Sequence, residues 1–223
     1  MKHHLRIARY TIIGGTVLFL MVALMFLQGD FAGKATTGNM GSNVRIVNST
    51  PVECTFYAEV GYNLVSVWCL HTAVPITDVI DNLTVQAMYQ YVPGDVDGWR
   101  VYNPNLPSYV VSDLQYMTRR AGYVAIMDAP TNKTFQGLRA ASTDIPLFGG
   151  WNLVGYPSNI TRSSFDAFSS VNSSVDLVIA YNKTGEAFIN YTVPDGSGDL
   201  QNIERRNGYW VNTTAATNWV VNS

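Results

Sequence analysis

Two stretches of this sequence occur twice in the same order, and that duplication limits the possible folds more than any other feature. Asp113–Val124 is similar to Asp199–Trp210, since both begin with Asp-Leu-Gln, contain two adjacent arginines and end with Gly-Tyr and an apolar residue. Upstream, Gly61–Val65 is similar to Gly150–Val154. The copies are offset by 86 and 89 positions, so one unit is present twice with small insertions. A repeat of this length is too long for one rung of a solenoid and is typical of two similar domains or of two halves of one sandwich.

Each repeat combines several strand-like segments with a single helix-like segment. The first repeat covers residues 44–140 and the second covers residues 141–223. A proline followed by apolar residues at helical spacing predicts a short helix over residues 75–83. The corresponding segment of the second repeat predicts a helix over residues 163–170. The predicted fold class is therefore mainly β and β-sandwich-like, with one short helix in each of two tandem repeats.

The second predicted helix has a clear start and an apolar pair. Ser163 is a natural cap, because its hydroxyl can accept a hydrogen bond from a backbone N–H in the first turn. Phe165 and Phe168 are three residues apart, so the helical period predicts that they lie on one face of the helix.

The repeated phrase contains a glycine and an arginine pair in each copy. Gly122 and Gly208 each precede a strand, where glycine permits either a positive φ or a close backbone approach. The pairs Arg119–Arg120 and Arg205–Arg206 are interpreted as ties between a tight turn and nearby carboxylates or carbonyls. Anion or glycan binding is the alternative interpretation of these arginines.

The first 28 residues contain an apolar segment long enough to cross a membrane. Tyr10–Leu27 is eighteen residues without a charge, and it follows a basic flank that should stay in the cytoplasm. A secretory signal cleaved after Ala35 is the alternative, but the length of the run favours a retained transmembrane anchor over residues 1–28. Residues 29–43 are rich in Gly, Thr, Asn and Ser and predict a flexible stalk. Residues 36–223 are expected to be extracellular in either case.

The acceptor motif for N-linked glycans, Asn-x-Ser/Thr, occurs eight times, which exceeds what the composition alone predicts. Asn, Ser and Thr are also common in β-turns, and this accounts for some of the motifs. Charged residues are only 13% of the chain, where about a quarter is usual, so attached sugars would supply missing surface polarity. The predicted glycosylation sites are Asn48, Asn82, Asn132, Asn159, Asn172, Asn182, Asn190 and Asn212.

The chain has two cysteines, Cys54 and Cys69. In an oxidising compartment such a pair is normally a disulfide, whereas two buried free thiols are the alternative. We expect the cysteines to lie on the two strands of a hairpin, over residues 54–60 and 64–70, which would bring them within bridging distance.

Groups that carry catalysis or bind metals are sparse. His71 is the only histidine beyond the N-terminal flank, so a Ser-His-Asp triad would depend on it, and a site built on several histidines is excluded by count. No carboxylate pair or phosphate-binding glycine loop stands out, so the sequence predicts neither an enzyme nor a cofactor. Two loops carry alternating oxygen ligands and are weak calcium candidates, although turn chemistry explains them as well. Their acidic residues are Asp95 and Asp97 in one loop, and Asp195 and Asp199 in the other.

The second repeat has a distinctive opening and closing sequence. It opens with Gly150–Val154, continues to Pro157 and closes with Gly208–Val211. This pattern resembles the β-rich repeat modules of archaeal and bacterial secreted cell-surface proteins. The first repeat departs from it, with Tyr62 in place of the first tryptophan and Val124 in place of the last. The resemblance implies a stalk, adhesive part or envelope component, and no catalytic residue carries over from it.

These features predict a membrane-anchored, N-glycosylated extracellular envelope protein that acts structurally, by assembly or adhesion. Its expected partners are the membrane, N-linked glycans, and other envelope subunits or further copies of itself. A cell-surface receptor for a glycan or another ligand is one alternative, because thirteen tyrosines and five tryptophans could provide stacking surfaces. A pilus-like filament subunit that packs through its N-terminal helix is another. The net charge of −2 and the lack of a basic face argue against nucleic acid as a partner.

Overall fold

The structure of the protein, a computed structural model, describes residues 50–70, 73–80, 85–107, 110 and 112–223. These residues belong to one compact unit, Asn39–Ser223. The fold is mainly β, as predicted, with 54% of the described residues in strands and 8% in helices. The predicted anchor and stalk, His71, and the predicted glycosylation sites Asn48 and Asn82 lie outside the described residues. Within the described ranges, no helix is long and apolar enough to cross a membrane.

The first half of the described chain, residues 50–140, builds one sheet, one ribbon and one helix. Its strands are β1 (Thr50–Ala58), β2 (Gly61–Val65), β3 (Val74–Pro75), β4 (Val85–Tyr91), β5 (Trp99–Tyr102), β6 (Tyr116–Met117), β7 (Tyr123–Met127) and β8 (Thr131–Arg139). Helix α1 covers Ile76–Ile80, inside the predicted range. β2, β7, β4 and β5 form an antiparallel sheet in that order, β1 and β8 form a separate two-stranded ribbon, and β3 pairs with β6.

The second half, residues 141–223, repeats that arrangement. Its strands are β9 (Ser142–Leu147), β10 (Gly150–Gly155), β11 (Arg162–Ser163), β12 (Val175–Asn182), β13 (Ala187–Thr192), β14 (Ser197–Gly198), β15 (Asn202–Ile203), β16 (Gly208–Thr213) and β17 (Thr217–Asn222). Helix α2 covers Ser164–Phe168 and continues into a 3-10 turn over Ser169–Val171. The sheet order β10-β16-β12-β13, with β14 added at the edge, matches the order β2-β7-β4-β5 of the first half. β9 and β17 form the second ribbon, and β11 pairs with β15.

Each half has its own apolar core, to which the ribbon, the helix and the inner face of the sheet contribute. In the second half, Trp219 of the ribbon stacks on Phe168 of α2 with ring centroids 4.6 Å apart. The indole Nε1 of Trp219 donates to the carbonyl of Ala167 at 2.8 Å, which satisfies the one polar group of this buried ring. The ribbon therefore holds the helix against the sheet.

One residue of α2 does not take its predicted position. Phe168 is fully buried, but Phe165 is 67% exposed. The buried side of this five-residue helix consists of Ser164, Ala167 and Phe168, and this leaves Phe165 on the solvent side. The predicted cap is confirmed, since the hydroxyl of Ser163 accepts from the backbone N–H of Asp166 at 3.1 Å.

The tyrosine of the repeated phrase closes a turn in both halves. The hydroxyl of Tyr123 accepts from the backbone N–H of Thr118 at 2.7 Å, and that of Tyr209 accepts from the backbone N–H of Glu204 at 2.7 Å. Both tyrosines are completely buried, so each hydroxyl needs a partner inside the protein. The Gly-Tyr ending of the phrase thus fixes the turn that carries the arginines.

Because of these tyrosines, we expect the protein to lose stability in alkali. Burial raises the pKa of Tyr123 and Tyr209 above the ordinary value of 10.0, although the hydrogen bonds within each turn oppose the shift. Their contribution is complete below pH 10 and is lost as the pH rises above about 10, because the unfolded chain then releases protons that the folded chain retains. Tyr123→Phe combined with Tyr209→Phe should cost about 1 kcal/mol per site near neutral pH and flatten the alkaline decline. Urea unfolding across this pH range measures both effects, and an unchanged alkaline decline in the double variant would contradict the expectation.

Cys54 and Cys69 form a disulfide, as predicted, with Cα atoms 6.1 Å apart. The predicted hairpin is wrong, because β1 pairs with β8 and β2 pairs with β7. The bridge instead ties the first ribbon to the segment that follows β2. Gly137 of β8 lies directly against the bridge, where a side chain would have no room.

Removing this bridge is expected to destabilise the protein substantially. The cysteines are 15 residues apart, and closing a loop of that length is worth about 3 kcal/mol in the chain-entropy description. Cys54→Ala combined with Cys69→Ala should lower the free energy of unfolding by that amount in a denaturant titration. Thiol reduction should have a similar effect on the wild type and none on the double variant, whereas equal sensitivity of both proteins would rule out the bridge as the cause.

Candidate functional site

The repeated phrase of each half lies against the first sheet strand of the other half. The backbone N–H of Ser66, just after β2, donates to the carbonyl of Arg206 at 2.7 Å. In the reciprocal contact, the N–H of Gly155 at the end of β10 donates to the carbonyl of Arg120 at 2.8 Å. Isolated β-bridges complete the two contacts and join Val65 to Asn207 and Val154 to Ala121.

The glycines of the phrase make this approach possible. A Cβ on Gly122 would lie 2.6 Å from the carbonyl oxygen of Val154, and a Cβ on Gly208 would lie 2.8 Å from that of Val65. Neither glycine has a positive φ. Of the two roles that the sequence predicts for them, the structure therefore shows close backbone approach.

Between the two sheets lies a layer of apolar side chains that belongs to neither core. Leu64 is paired with Val124 across β2 and β7, and Leu153 is paired with Trp210 across β10 and β16. All four are buried, and they lie on the sheet faces opposite the cores because side chains alternate along a strand. With the two glycines they form the inter-half interface: Leu64, Gly122, Val124, Leu153, Gly208 and Trp210.

An aromatic cluster extends this interface toward the surface. Trp210 of the second half lies 5.4 Å from Tyr91 and 5.9 Å from Trp99 of the first half, measured between ring centroids. Trp151 packs edge-on against Trp210 at 6.3 Å. All except Trp210 are half-buried, so the cluster joins the halves and keeps part of its ring surface in contact with solvent.

The opposite side of the interface carries a second cluster and a charged groove. Tyr62 of the first half packs edge-on against Tyr181 of the second half at 4.8 Å. Lys183 crosses to the first half and donates its Nζ to the carbonyls of Val60 at 2.7 Å and Tyr62 at 3.2 Å. The interface groove beside them has a volume of about 330 Å³, and its polar lining residues include Tyr57, Glu59, Lys183, Glu204, Arg205 and Arg206.

The groove is lined by hydrogen-bonding groups and by both positively and negatively charged side chains. The hydroxyl of Tyr57 donates to Oε1 of Glu59 at 2.9 Å, and this hydrogen bond is the main reason that the pKa of Tyr57 is raised. Arg206 has a positive φ of 77°, and its Nε is buried without a hydrogen-bond partner among the described residues. The groove could therefore hold a polar ligand that carries an anionic group.

The two arginine pairs do not occupy equivalent environments. Arg119 is only 4% exposed, and burial, followed by the charge of Arg120, lowers its pKa to about 10. Its counterpart Arg205 is exposed. What the halves share is the use of a backbone carbonyl, that of Arg120 or Arg206, to bind the other half. The repeated pairs therefore do not form two copies of one anion site.

The Gly-x-Asn of the other repeated stretch has a structural role that the sequence did not reveal. Oδ1 of Asn152 accepts from the N–H of Phe148, and its Nδ2 donates to the carbonyls of Phe148 and Gly150. Asn63 makes the same bonds to Glu59 and Gly61. In each half the asparagine fixes the conformation of the turn that precedes the first sheet strand. The recurrence of a Gly-x-Asn sequence in both halves was the sequence signal that could have predicted this role.

The calcium candidates lie in tight turns. Asp95 forms an ion pair with Arg100, with an oxygen–nitrogen distance of 3.5 Å. The loop from Asp195 to Asp199 has a positive φ at both of its glycines. In the described part of the chain, no three His, Cys, Asp or Glu residues are grouped closely enough to hold a metal ion. Turn geometry accounts for Asp97 and the other acidic residues here, and calcium binding stays a prediction.

Six of the predicted glycosylation sites lie within the described residues. An asparagine must reach solvent to accept a sugar, and most of the six do. The amide oxygen of Asn159 is buried without a hydrogen-bond partner among the described residues. The exposed sites are Asn132, Asn172, Asn182 and Asn190, and the half-buried ones are Asn159 and Asn212.

Comparisons with protein-family models, with curated proteins and with solved structures find no match to this chain. The interpretation of the candidate site therefore depends on its own geometry. That geometry is the inter-half interface, flanked by half-buried aromatic rings on one side and the charged interface groove on the other.

Proposed function

We propose that residues 36–223 form the extracellular part of a membrane-anchored, N-glycosylated envelope protein that acts structurally, by assembly or adhesion. The observation that carries the proposal is the pairing of the chain's two cysteines in a unit whose surface presents four exposed acceptor asparagines. Disulfides persist mainly in oxidising compartments, which are also where N-glycosylation takes place. The proposal assigns the protein no enzymatic activity and no cofactor.

The finer architecture is part of the same proposal: an N-terminal transmembrane helix followed by two tandem repeats. Support for a duplication comes from the matching strand orders, the equivalent bonds of Asn63 and Asn152, and the equivalent turns closed by Tyr123 and Tyr209. The opening Gly150–Val154 and the closing Gly208–Val211 are the basis for proposing a relationship to the β-rich repeat modules of secreted surface proteins.

Assembly is supported by the strand edges that the two ribbons leave open. β1 with β8, and β9 with β17, are two-stranded sheets, so within the described residues one edge of each strand has no neighbouring strand. On β8 that edge is partly occupied, because the N–H of Leu138 donates to the carbonyl of Cys69 at 2.8 Å. Unpaired edges are templates for strand addition by another chain. Val220 on β17 is also exposed, and it adds apolar surface beside one such edge.

A surface receptor for a glycan or other polar ligand is the second candidate, and the interface groove is the observation that favours it. Arg205 is exposed at the rim of this groove, so Arg205→Glu should abolish binding of an anionic ligand without changing stability. The filament alternative depends on the N-terminal segment, which lies outside the described residues.

The extracellular assignment can be tested on intact cells that make the protein. External protease should cleave residues 36–223, and the mass of the purified chain should exceed the polypeptide mass by attached sugars, with the Cys54–Cys69 peptide pair found oxidised. Full protection from external protease, together with an unmodified mass and two free thiols, would contradict the proposal.

A further inference from the structure

The most exposed aromatic side chain that the structure describes, Phe165, lies in a groove on the second half. Phe165 is 67% exposed, although it belongs to a helix whose other apolar residues are buried. The Phe165 groove has a volume of about 400 Å³ and is lined by Phe165, Ser169, Asn172, Tyr191, Val193 and Pro194, with Ser173 beside them. The core does not use this ring, so its position calls for another explanation.

The groove contains one of the predicted glycosylation sites within its own wall. Asn172 follows the 3-10 turn, is exposed, and has the acceptor hydroxyl motif completed by Ser174. A sugar attached to its Nδ2 would begin inside the groove, at the polar rim formed with Ser169 and Ser173. No other described acceptor asparagine lines this groove.

The chemistry of the walls fits a carbohydrate. A sugar ring has an apolar face of C–H groups and an edge of hydroxyls. The groove offers the exposed ring of Phe165 and the exposed Pro194 as apolar walls, a floor formed by the buried Tyr191 and Val193, and a rim of hydroxyl and amide groups. Covering Phe165 would also remove an exposed apolar surface from water.

We propose that Asn172 is glycosylated and that the first sugars of its glycan fold back onto Phe165 and occupy this groove. The inference rests on the proposed function, since it requires passage through a glycosylating compartment. In the attachment step, Nδ2 of Asn172 forms a bond to the anomeric carbon of a sugar activated as a lipid-linked phosphate. The carbon–oxygen bond to that phosphate breaks, the phosphate leaves with the electron pair, and the amide proton passes to a base.

A double-mutant cycle in the full chain, produced in its native host, tests the coupling. Ser174→Ala removes the glycan without changing Asn172, and Phe165→Ala removes the ring. Each single variant should lower the Tm by about 2–4 °C, the shift that a loss near 1 kcal/mol gives in a domain of this size. The double variant should lose little more than either single variant, because both changes break the same contact.

An N-glycan acceptor motif in the other half provides the matched control. Thr134→Ala removes the acceptor motif of Asn132 on β8, so its effect on the Tm should simply add to that of Phe165→Ala. If the Tm losses of Ser174→Ala and Phe165→Ala also simply add in the double variant, the inference is overturned. An unmodified Asn172 peptide in a chain that carries sugars at other sites would overturn it as well and leave the proposed function standing, whereas a chain without any sugar would remove both.

Discussion

Gly208→Val is expected to destabilise the protein by about 3 kcal/mol or more, because the new side chain must enter a space that backbone already fills. Its Cβ would lie 2.8 Å from the carbonyl oxygen of Val65 and 3.3 Å from Cγ of Leu64. Both neighbours belong to β2, whose pairing with β7 prevents it from moving away. Such a loss is a large share of the roughly 5–15 kcal/mol that stabilises an ordinary domain.

The loss of stability should affect both halves, because Gly208 belongs to the second half and the atoms it would contact belong to the first. Denaturant unfolding measures the loss, and hydrogen exchange of the β7 and β16 amides shows where it falls. Gly122→Val should behave in the same way, because a Cβ there would lie 2.6 Å from the carbonyl of Val154. The control is Gly149→Ala, whose nearest neighbouring atom would be 3.9 Å away and which should change stability by less than about 0.5 kcal/mol. Loss of protection in β16 alone would show that the halves do not depend on each other.

Asn152→Ala is expected to cost about 2–3 kcal/mol, because it removes the partner of three backbone groups at the start of the second sheet. Asn152 is 1% exposed, so water does not simply replace the side chain. Its Oδ1 accepts from the N–H of Phe148 at 2.9 Å, and its Nδ2 donates to the carbonyls of Phe148 at 2.8 Å and Gly150 at 3.0 Å. The free energy of unfolding from a urea titration gives the effect.

Asn152→Asp separates the roles of the two ends of this amide. Aspartate retains the acceptor for Phe148 but presents a carboxylate oxygen to two carbonyls, so it should fail to restore stability. Asn218 on β17 is exposed and serves as the control, since Asn218→Ala should be close to neutral. If Asn152→Asp is as stable as the wild type, the two hydrogen bonds donated by Nδ2 of Asn152 contribute nothing to stability.

Features that depend on local pattern could be predicted from the sequence. The 3.6-residue period, the proline and the serine cap located α1 and α2, because helix starts depend on neighbouring residues. Alternation and turn residues predicted the mainly β class. The disulfide was predicted from the count of two cysteines and from the oxidising compartment that the sequence predicts, although the hairpin expected to support it does not exist.

Features that depend on long-range partners could not be predicted in this way. The repeated glycines were recognisable as special, but the sequence does not say that Gly122 faces β10 and Gly208 faces β2, in the opposite half of the chain. The period of α2 placed Phe165 with Phe168, yet a five-residue helix is too short for its period to fix which side is buried. The contact of Lys183 with the first half could not be predicted from local pattern, because its two carbonyl partners lie about 120 positions earlier in the chain.

The native size of the protein, extracted in mild detergent from the cells that make it, is the measurement that bears most directly on its proposed role. We predict a large ordered particle of many copies, or of this chain with other envelope subunits, whose polypeptides carry N-linked sugars. A glycosylated monomer in the same extract would contradict assembly as its function and would favour a receptor that binds its ligand in the interface groove.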